Sequence, residues 1–315
     1  LERLKIEEEL KALKKLIGEV KPGLPIVFQG GNDADIAPRV LETQTMQVLG
    51  LGPDFVAGTD WRSSVFTPSC NTHQYLHILA AIYGWNKTHA DGDTQRIVEV
   101  ELNGTAIRRS GDPGGGKAEA HPDGSAITLN YHHAPDVLAF DKQLTKELHI
   151  PFAINRDETP RFTTHATFGQ QQRYHIINAT LRARKVNGEY FTAKEFLDML
   201  RPLPRVAVVE FEGKGDEVKI DPGRIYNLVH NQIDITHPFL EVITAQQSGD
   251  AITVIGLTWQ ESNVVPDNIA IALLLSGVVS HDAYGVERAN GLANMVIGLG
   301  EIKAAIQSHS PLSRK

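Results

Sequence analysis

Cysteine is almost absent: the 315 residues contain one, Cys70. A single thiol excludes an intramolecular disulfide framework and confines any thiol chemistry to one position. Long apolar runs are also lacking, so no segment reads as a bilayer span and no membrane partner is expected. Residues 1–20, LERLKIEEELKALKKLIGEV, are charged throughout and resemble neither a secretory signal nor a transit peptide. A cytoplasmic location is the resulting expectation. Excess positive charge is missing too: the net charge of −7 and pI near 6.0 argue against a surface that tracks phosphates, so nucleic acid is not an expected partner. There is no internal repeat and no low-complexity linker. What remains, 41% hydrophobic and 22% charged, is an ordinary globular composition on a chain long enough for a sizeable core and two lobes.

Periodicity orders the chain. Leu4, Ile6, Leu10, Leu13 and Ile17 recur at roughly helical spacing, which predicts an amphipathic helix ending at Gly18. PGLPIVFQGG then reads as a short buried parallel strand with a glycine turn at its carboxyl end, the place where α/β sheets bind ligands. Tyr75, Leu76, Leu79, Ile82 and Tyr83 predict a helix from Cys70 to about Gly84. QRIVEVELNGTAIRRSG predicts a hairpin turning at Asn103-Gly104, and YHIINATLRARKVNGEYF repeats the pattern around Asn187-Gly188. Thr192 and Glu195 form a capping box before FLDML. RVAVVEF, and the pair LEVITAQQ and DAITVIGLTW joined at Ser248-Gly249, complete a strand-rich middle. The tail from Asn268 to Gln307 is helical in pattern. The expected fold is therefore α/β: a helix and parallel-strand first part, a mainly antiparallel lobe, and a returning C-terminal helix.

Several constellations bear on chemistry. GDPGGGKA at Gly111 to Ala118 imitates a phosphate-binding loop, but Ala118 has no hydroxyl for Mg²⁺ and EAHPDG cannot start the required helix. It reads as a glycine-rich loop. Cys70, His73 and His77 share spacings that fit one helical face, as an open Zn²⁺ site would need, yet no fourth ligand is evident and no metal is expected. Pro68 and Ser69 break the preceding strand, so the Cys70 sulfur would lie at a helix N-terminus, where free backbone N–H groups and the helix dipole favour a thiolate. On local sequence, a nucleophile and a buried structural cysteine stand level. Arg108 and Arg109 end a strand, His132 and His133 precede a proline, His165 reads as a loop residue and His175 heads an alternating strand. Guanidinium forks suit phosphate oxygens, and imidazoles near a thiol suit proton transfer, but each also has an ordinary structural reading.

In this order, the segments resemble the archaeal-type glyceraldehyde-3-phosphate dehydrogenases. The matching pieces are FQGG at Phe28 to Gly31, SCNT at Ser69 to Thr72, RRSGDP at Arg108 to Pro113, HHAPDV at His132 to Val137 and WQESNVVPDN at Trp259 to Asn268. The resemblance implies a dinucleotide-binding Rossmann domain, here partial (1–69), a catalytic domain with a mixed or antiparallel sheet (70–265), and a C-terminal helical segment packing back on the first (266–315). It makes Cys70 the nucleophile and a histidine, His175 or His165, the base, with His175 favoured because HIINATL keeps the strand anchor. Ser69, Asn71, Thr72, Arg108, His132 and His133 would hold substrate and phosphate, while Gly31, Arg109 and Gln260 would touch NAD or NADP.

The implied reaction converts glyceraldehyde 3-phosphate and inorganic phosphate to 1,3-bisphosphoglycerate through a Cys70 thioester, in a homo-oligomer that is tetrameric by resemblance. Three departures accompany it. FQGG comes only one helix after Leu1, no G-x-G-x-x-G follows a strand, and GLGPDF carries a proline, so the family's first βαβ unit is expected to be absent. The histidine segment is longer than usual. His73 stands where the family has a small residue or threonine, and THADGDTQRIVEVELNG looks inserted. A related semialdehyde or acyl-phosphate dehydrogenase, or a cofactor-free remnant serving as a binding or regulatory subunit, are the alternative readings.

Overall fold

The computed structural model describes residues 2–29, 40–54, 62, 64–89, 92–108, 129–130, 132–148, 161–169, 174–209, 241–259 and 261–297. Within them are seven helices and eight strands in mixed α/β order. Helix α1 (Glu2–Val20) runs past the stop expected at Gly18. Strand β1 (Ile26–Gln29) pairs in parallel with β2 (Ser64–Thr67), in register Ile26 to Ser64. The parallel pairing was legible, but the expected burial is not there: only Phe28 of β1 is buried, and Val27 and Gln29 are exposed. Between them, α2 (Thr43–Leu49) starts from Glu42, whose carboxylate accepts from the N–H groups of Gln44 and Thr45.

Helix α3 (Cys70–Thr88) is the centre of the molecule. Ser69 caps it, its Oγ accepting from Thr72 N–H, and burial continues on nearly every side. A helix buried all round needs no polar face, and each fully buried Leu or Ile contributes about 1.5–3 kcal/mol. It passes the expected end at Gly84 because a Cβ there would meet Met199 Cε at 2.9 Å, so the missing side chain admits a neighbour rather than stopping the helix.

The second sheet has six strands in the order β4-β3-β5-β8-β7-β6. They are β3 (Ile97–Arg108), β4 (Phe162–Phe168), β5 (His175–Lys185), β6 (Val206–Val208), β7 (Glu241–Ser248) and β8 (Ala251–Thr258). The hairpin expected at Asn103-Gly104 is a correction: β3 is one continuous strand, pairing with β5 antiparallel and with β4 in parallel. Gly104 explains it, because a Cβ there would lie 2.5 Å from the Tyr75 ring. The glycine marks close approach of a helix rather than a turn. Helix α4 (His133–Leu148) carries the chain from β3 to β4, with Ala134 N–H donating to Thr164 Oγ1 at 3.0 Å. His165 accordingly sits inside β4 rather than in a loop.

Other expectations hold. Gly188 (φ 87°) turns the chain after β5, Gly249 (φ 62°) joins β7 to β8, and Thr192 with Glu195 forms the capping box of α5 (Ala193–Leu200). Helices α6 (Glu261–Leu275) and α7 (Ala283–Val296) form the C-terminal return, packing on α2. One buried apolar cluster draws on Phe28, Met46, Leu76, Ile177, Ile271 and Val286 together, so the expected first, middle and last segments share a core.

Candidate active site

Strand parity decides which side chains meet α3. Gly104 of β3 lies under Tyr75 and Gly256 of β8 lies beside Gln74, so these positions face the helix. Gly104 pairs with Thr164 and Ala179, and Gly256 with Ile177 and Ile243. Counting by two from these, His175, Thr258, Arg108 and Glu241 belong to the helix face, whereas His165, paired with Thr105, belongs to the opposite face. The sheet thus separates the two candidate histidines.

At the head of α3, Cys70 is 8% exposed and its Sγ lies 3.0 Å from His175 Nδ1. That is hydrogen-bonding distance between a nucleophile and a base. The neighbouring turn holds a second group. Thr72 Oγ1 donates to Asp136 Oδ2 at 3.4 Å, and lies 2.9 Å from Ser69 Oγ and 3.0 Å from His133 Nδ1. A hydroxyl has one proton to give, so His133 donates through Nδ1 and its Nε2 is the unprotonated nitrogen of a neutral ring. Burial first, then His132, Arg108 and His175, holds His133 well below the usual imidazole range. His132 stacks edge-on against it with ring centres 4.3 Å apart, and its Nε2 is 3.9 Å from Asp136. Asn71, 1% exposed, leaves its Oδ1 without a hydrogen-bond partner among the described residues.

Of the residues expected to act, Cys70, His175, Ser69, Asn71, Thr72, His132 and His133 therefore cluster at one helix start, with Arg108 close enough to repel a proton from His133. Gly31, Arg109 and Gln260 lie outside the described residues, as does the glycine-rich loop at 111–118. The described part of the expected cofactor side is the carboxyl end of β1, where Gln29 Oε1 accepts from Asn268 Nδ2 at 3.1 Å. Asp136 was missed. Its signal was spacing, four residues after His132 on a helix start.

Cys70, His73 and His77 do not converge. His73 Nδ1 donates to Ser69 O (3.0 Å) and its Nε2 faces Asp267 Oδ2 (3.2 Å), while His77 Nδ1 pairs with Glu241. These belong to a second polar cluster, wholly buried, in which Glu42, Glu241 and Asp267 meet Arg205, His73 and His77. Thr43 N–H donates to Asp267 Oδ1 (2.9 Å), and Arg205 donates to Asp267 Oδ1 (3.4 Å) and Asn290 Oδ1 (2.5 Å). Glu42, His73 and Asp267 could bring three ligand atoms to one ion, as could His132, His133 and Asp136. In the first group Arg205 already supplies the positive charge.

Charge in this cluster is mutually balanced. Burial disfavours the Glu42 carboxylate, but His77 and His73 outweigh it and hold the group well below the carboxylate range. Gln44 Oε1 accepts from Arg205 N–H (2.9 Å), which leaves its amide nitrogen 2.8 Å from His77 Nε2 and suits a ring unprotonated there. Two carboxylates outweigh that single neutral contact. Burial opposes charge on His77, yet Glu241 and then Glu42 push it up to about 10.

Comparison with known proteins bears out the resemblance. Over 284 residues the chain is 24% identical to a glyceraldehyde-3-phosphate dehydrogenase of Haloarcula marismortui, covering 88% of this chain and 68% of that protein. It is 24% identical over 252 residues to that of Thermococcus kodakarensis, and 26% identical over 253 residues to that of Pyrococcus furiosus. Each of those two alignments covers 79% of this chain and 62% of the relative, so the chain spans less than two thirds of their length. No family model matches the chain. Among the described residues, no helix is long and apolar enough to cross a membrane.

Proposed function

We propose that this chain carries the catalytic part of a thiol-dependent aldehyde dehydrogenase of the phosphorylating glyceraldehyde-3-phosphate type. The observation that carries the reading is the 3.0 Å approach of His175 Nδ1 to Cys70 Sγ at the first turn of a buried helix. His175 takes the thiol proton, and the Cys70 sulfur forms a bond to the aldehyde carbon, giving a hemithioacetal. The imidazolium gives that proton to the new alkoxide oxygen, and the neutral ring then stands ready to take it back as the carbonyl re-forms. NAD or NADP, when bound, supplies the hydride acceptor. Gly31, Arg109 and Gln260 are the residues proposed to hold it.

The acyl thioester left on Cys70 is open to inorganic phosphate, whose oxygen bonds to the acyl carbon as the C–S bond breaks and the thiolate leaves. Arg108 suits the phosphate oxygens by charge and fork geometry. Ser69, Asn71, Thr72, His132 and His133 line the same turn, and Asn71 Oδ1, without a partner among the described residues, suits a substrate hydroxyl. His175 rather than His165 is the base, since the register sets His165 on the far face of the sheet. A homotetramer in the cytoplasm and the domain division at residues 69 and 265 complete the reading. It is tested by reduction of NAD and NADP by the purified chain with glyceraldehyde 3-phosphate and phosphate, against Cys70→Ser. Phosphate-dependent reduction that Cys70→Ser lacks supports the reading; no reduction, with Cys70 alkylated by iodoacetamide no faster than free cysteine, would sink it.

A further inference from the structure

The peptide that precedes the nucleophile is held from an unexpected direction. Ser69 O accepts the backbone N–H of His73 at 2.9 Å, as any first helical turn would provide, and also accepts from the His73 ring at 3.0 Å. The far nitrogen of that ring, Nε2, lies 3.2 Å from Asp267 Oδ2 of α6, with both side chains fully buried. Asp267 is fixed in turn by Thr43 N–H of α2 and by Arg205. Its neighbour Asn268 reaches Gln29 at the end of β1.

We propose that His73 is a positioning residue: its ring clamps the Ser69 carbonyl, and so the peptide that carries Cys70, to the carboxylate of Asp267. The inference rests on Cys70 being the nucleophile. Two donor bonds on one carbonyl leave the Ser69–Cys70 peptide plane little freedom to rotate, and that plane sets the direction of the Cys70 side chain toward His175. A ring with a polar partner at each nitrogen also has one orientation open to it, which the buried carboxylate enforces. The link runs from α6 and α2 to the sulfur, so the elements that border the expected cofactor side also set the nucleophile.

Two near-isosteric variants separate positioning from mere packing. His73→Asn keeps a short side-chain N–H in place of Nδ1 and loses the reach to Asp267; His73→Gln keeps a long donor in place of Nε2 and loses the bond to Ser69. Pseudo-first-order alkylation of Cys70 by iodoacetamide at pH 7 is read beside the thermal unfolding midpoint of each protein. Wild-type Cys70 should react faster than free cysteine, His73→Gln should slow this by about 5-fold, a terminal-turn effect near 1 kcal/mol, and His73→Asn should retain most of the rate although it is the less stable of the two. Equal rates in all three proteins, or equal slowing in both variants in step with their midpoints, would overturn the clamp. If wild-type Cys70 reacts no faster than free cysteine, the nucleophile reading itself fails, which is a different result from either of these.

Discussion

Two polar clusters lie along helix α3, and they are built on opposite terms. At its first turn, Cys70, His175, Thr72, His133 and Asp136 exchange hydrogen bonds in which His133 stays neutral, and Asn71 has an oxygen with no partner among the described residues. One to two turns further on, His73 and His77 join Arg205 against Glu42, Glu241 and Asp267, sign against sign, with every member buried. The first cluster retains bonding capacity that a substrate can use. In the second, most of that capacity is spent internally, so its role is to hold α2, α3, α6 and the β6–β7 end together. Chemistry sits where satisfaction is incomplete, and structure where it is nearly complete.

That contrast can be broken at several points. The largest effect should come from Cys70→Ser, with loss of about 10⁴-fold in dehydrogenase turnover and of all iodoacetamide labelling, while the urea unfolding midpoint hardly moves. Arg205→Met should do the reverse: removing one partner of a buried ion cluster destabilises by about 3–5 kcal/mol in urea titration, because the buried carboxylates lose the guanidinium among them. If Arg205→Met were neutral, the second cluster would not be the structural one.

His175→Asn should lower turnover about 100-fold, as loss of a general base does, with the unfolding midpoint kept. A smaller response comes from pH. His77 has its folded value raised to about 10 by Glu241 and Glu42, so its stabilisation is fully present below the ordinary imidazole range and is lost as pH rises toward 10. His133, held low by burial, works in the opposite sense: its contribution is present at neutral pH and is lost as pH falls below about 6.5. Urea midpoints should therefore decline on both sides of neutrality, with the alkaline limb removed in His77→Gln. Smallest of all, His165→Asn should change turnover by less than about 2-fold, because adjacent strand positions face opposite sides of the sheet. A 100-fold loss there would reverse the assignment of the base.

Local signals were read well where a short stretch contains both partners. The helix start at Cys70, the Thr192–Glu195 box and the Gly249 turn are each complete within a few residues, so spacing alone reveals them. Asn103-Gly104 misled for the complementary reason. Its glycine answers to Tyr75, which arrives from another element, and no pattern within 97–108 records that. His165 was misplaced for the same cause: its strand is set by pairing with β3 rather than by its own sequence. Of the buried charged cluster only His73 and His77 drew notice, for their spacing with Cys70; Glu42, Arg205, Glu241 and Asp267 are scattered along the chain and each reads singly as an ordinary surface charge.

The sequence by itself determined that one thiol stands at a helix start with histidines and arginines in a recognisable order, because caps, periodicity and motif spacing are properties of neighbouring residues. Tertiary structure decided the rest. Only the sheet register brings His175 across 105 positions to within 3.0 Å of Cys70 and turns His165 away. Only the packing of α6 against α3 sets His73 to hold the peptide before the sulfur. The physical reason is the same in both cases: strand pairing and burial are long-range events, and which face of a sheet or helix a side chain meets is known only once its partners are in place.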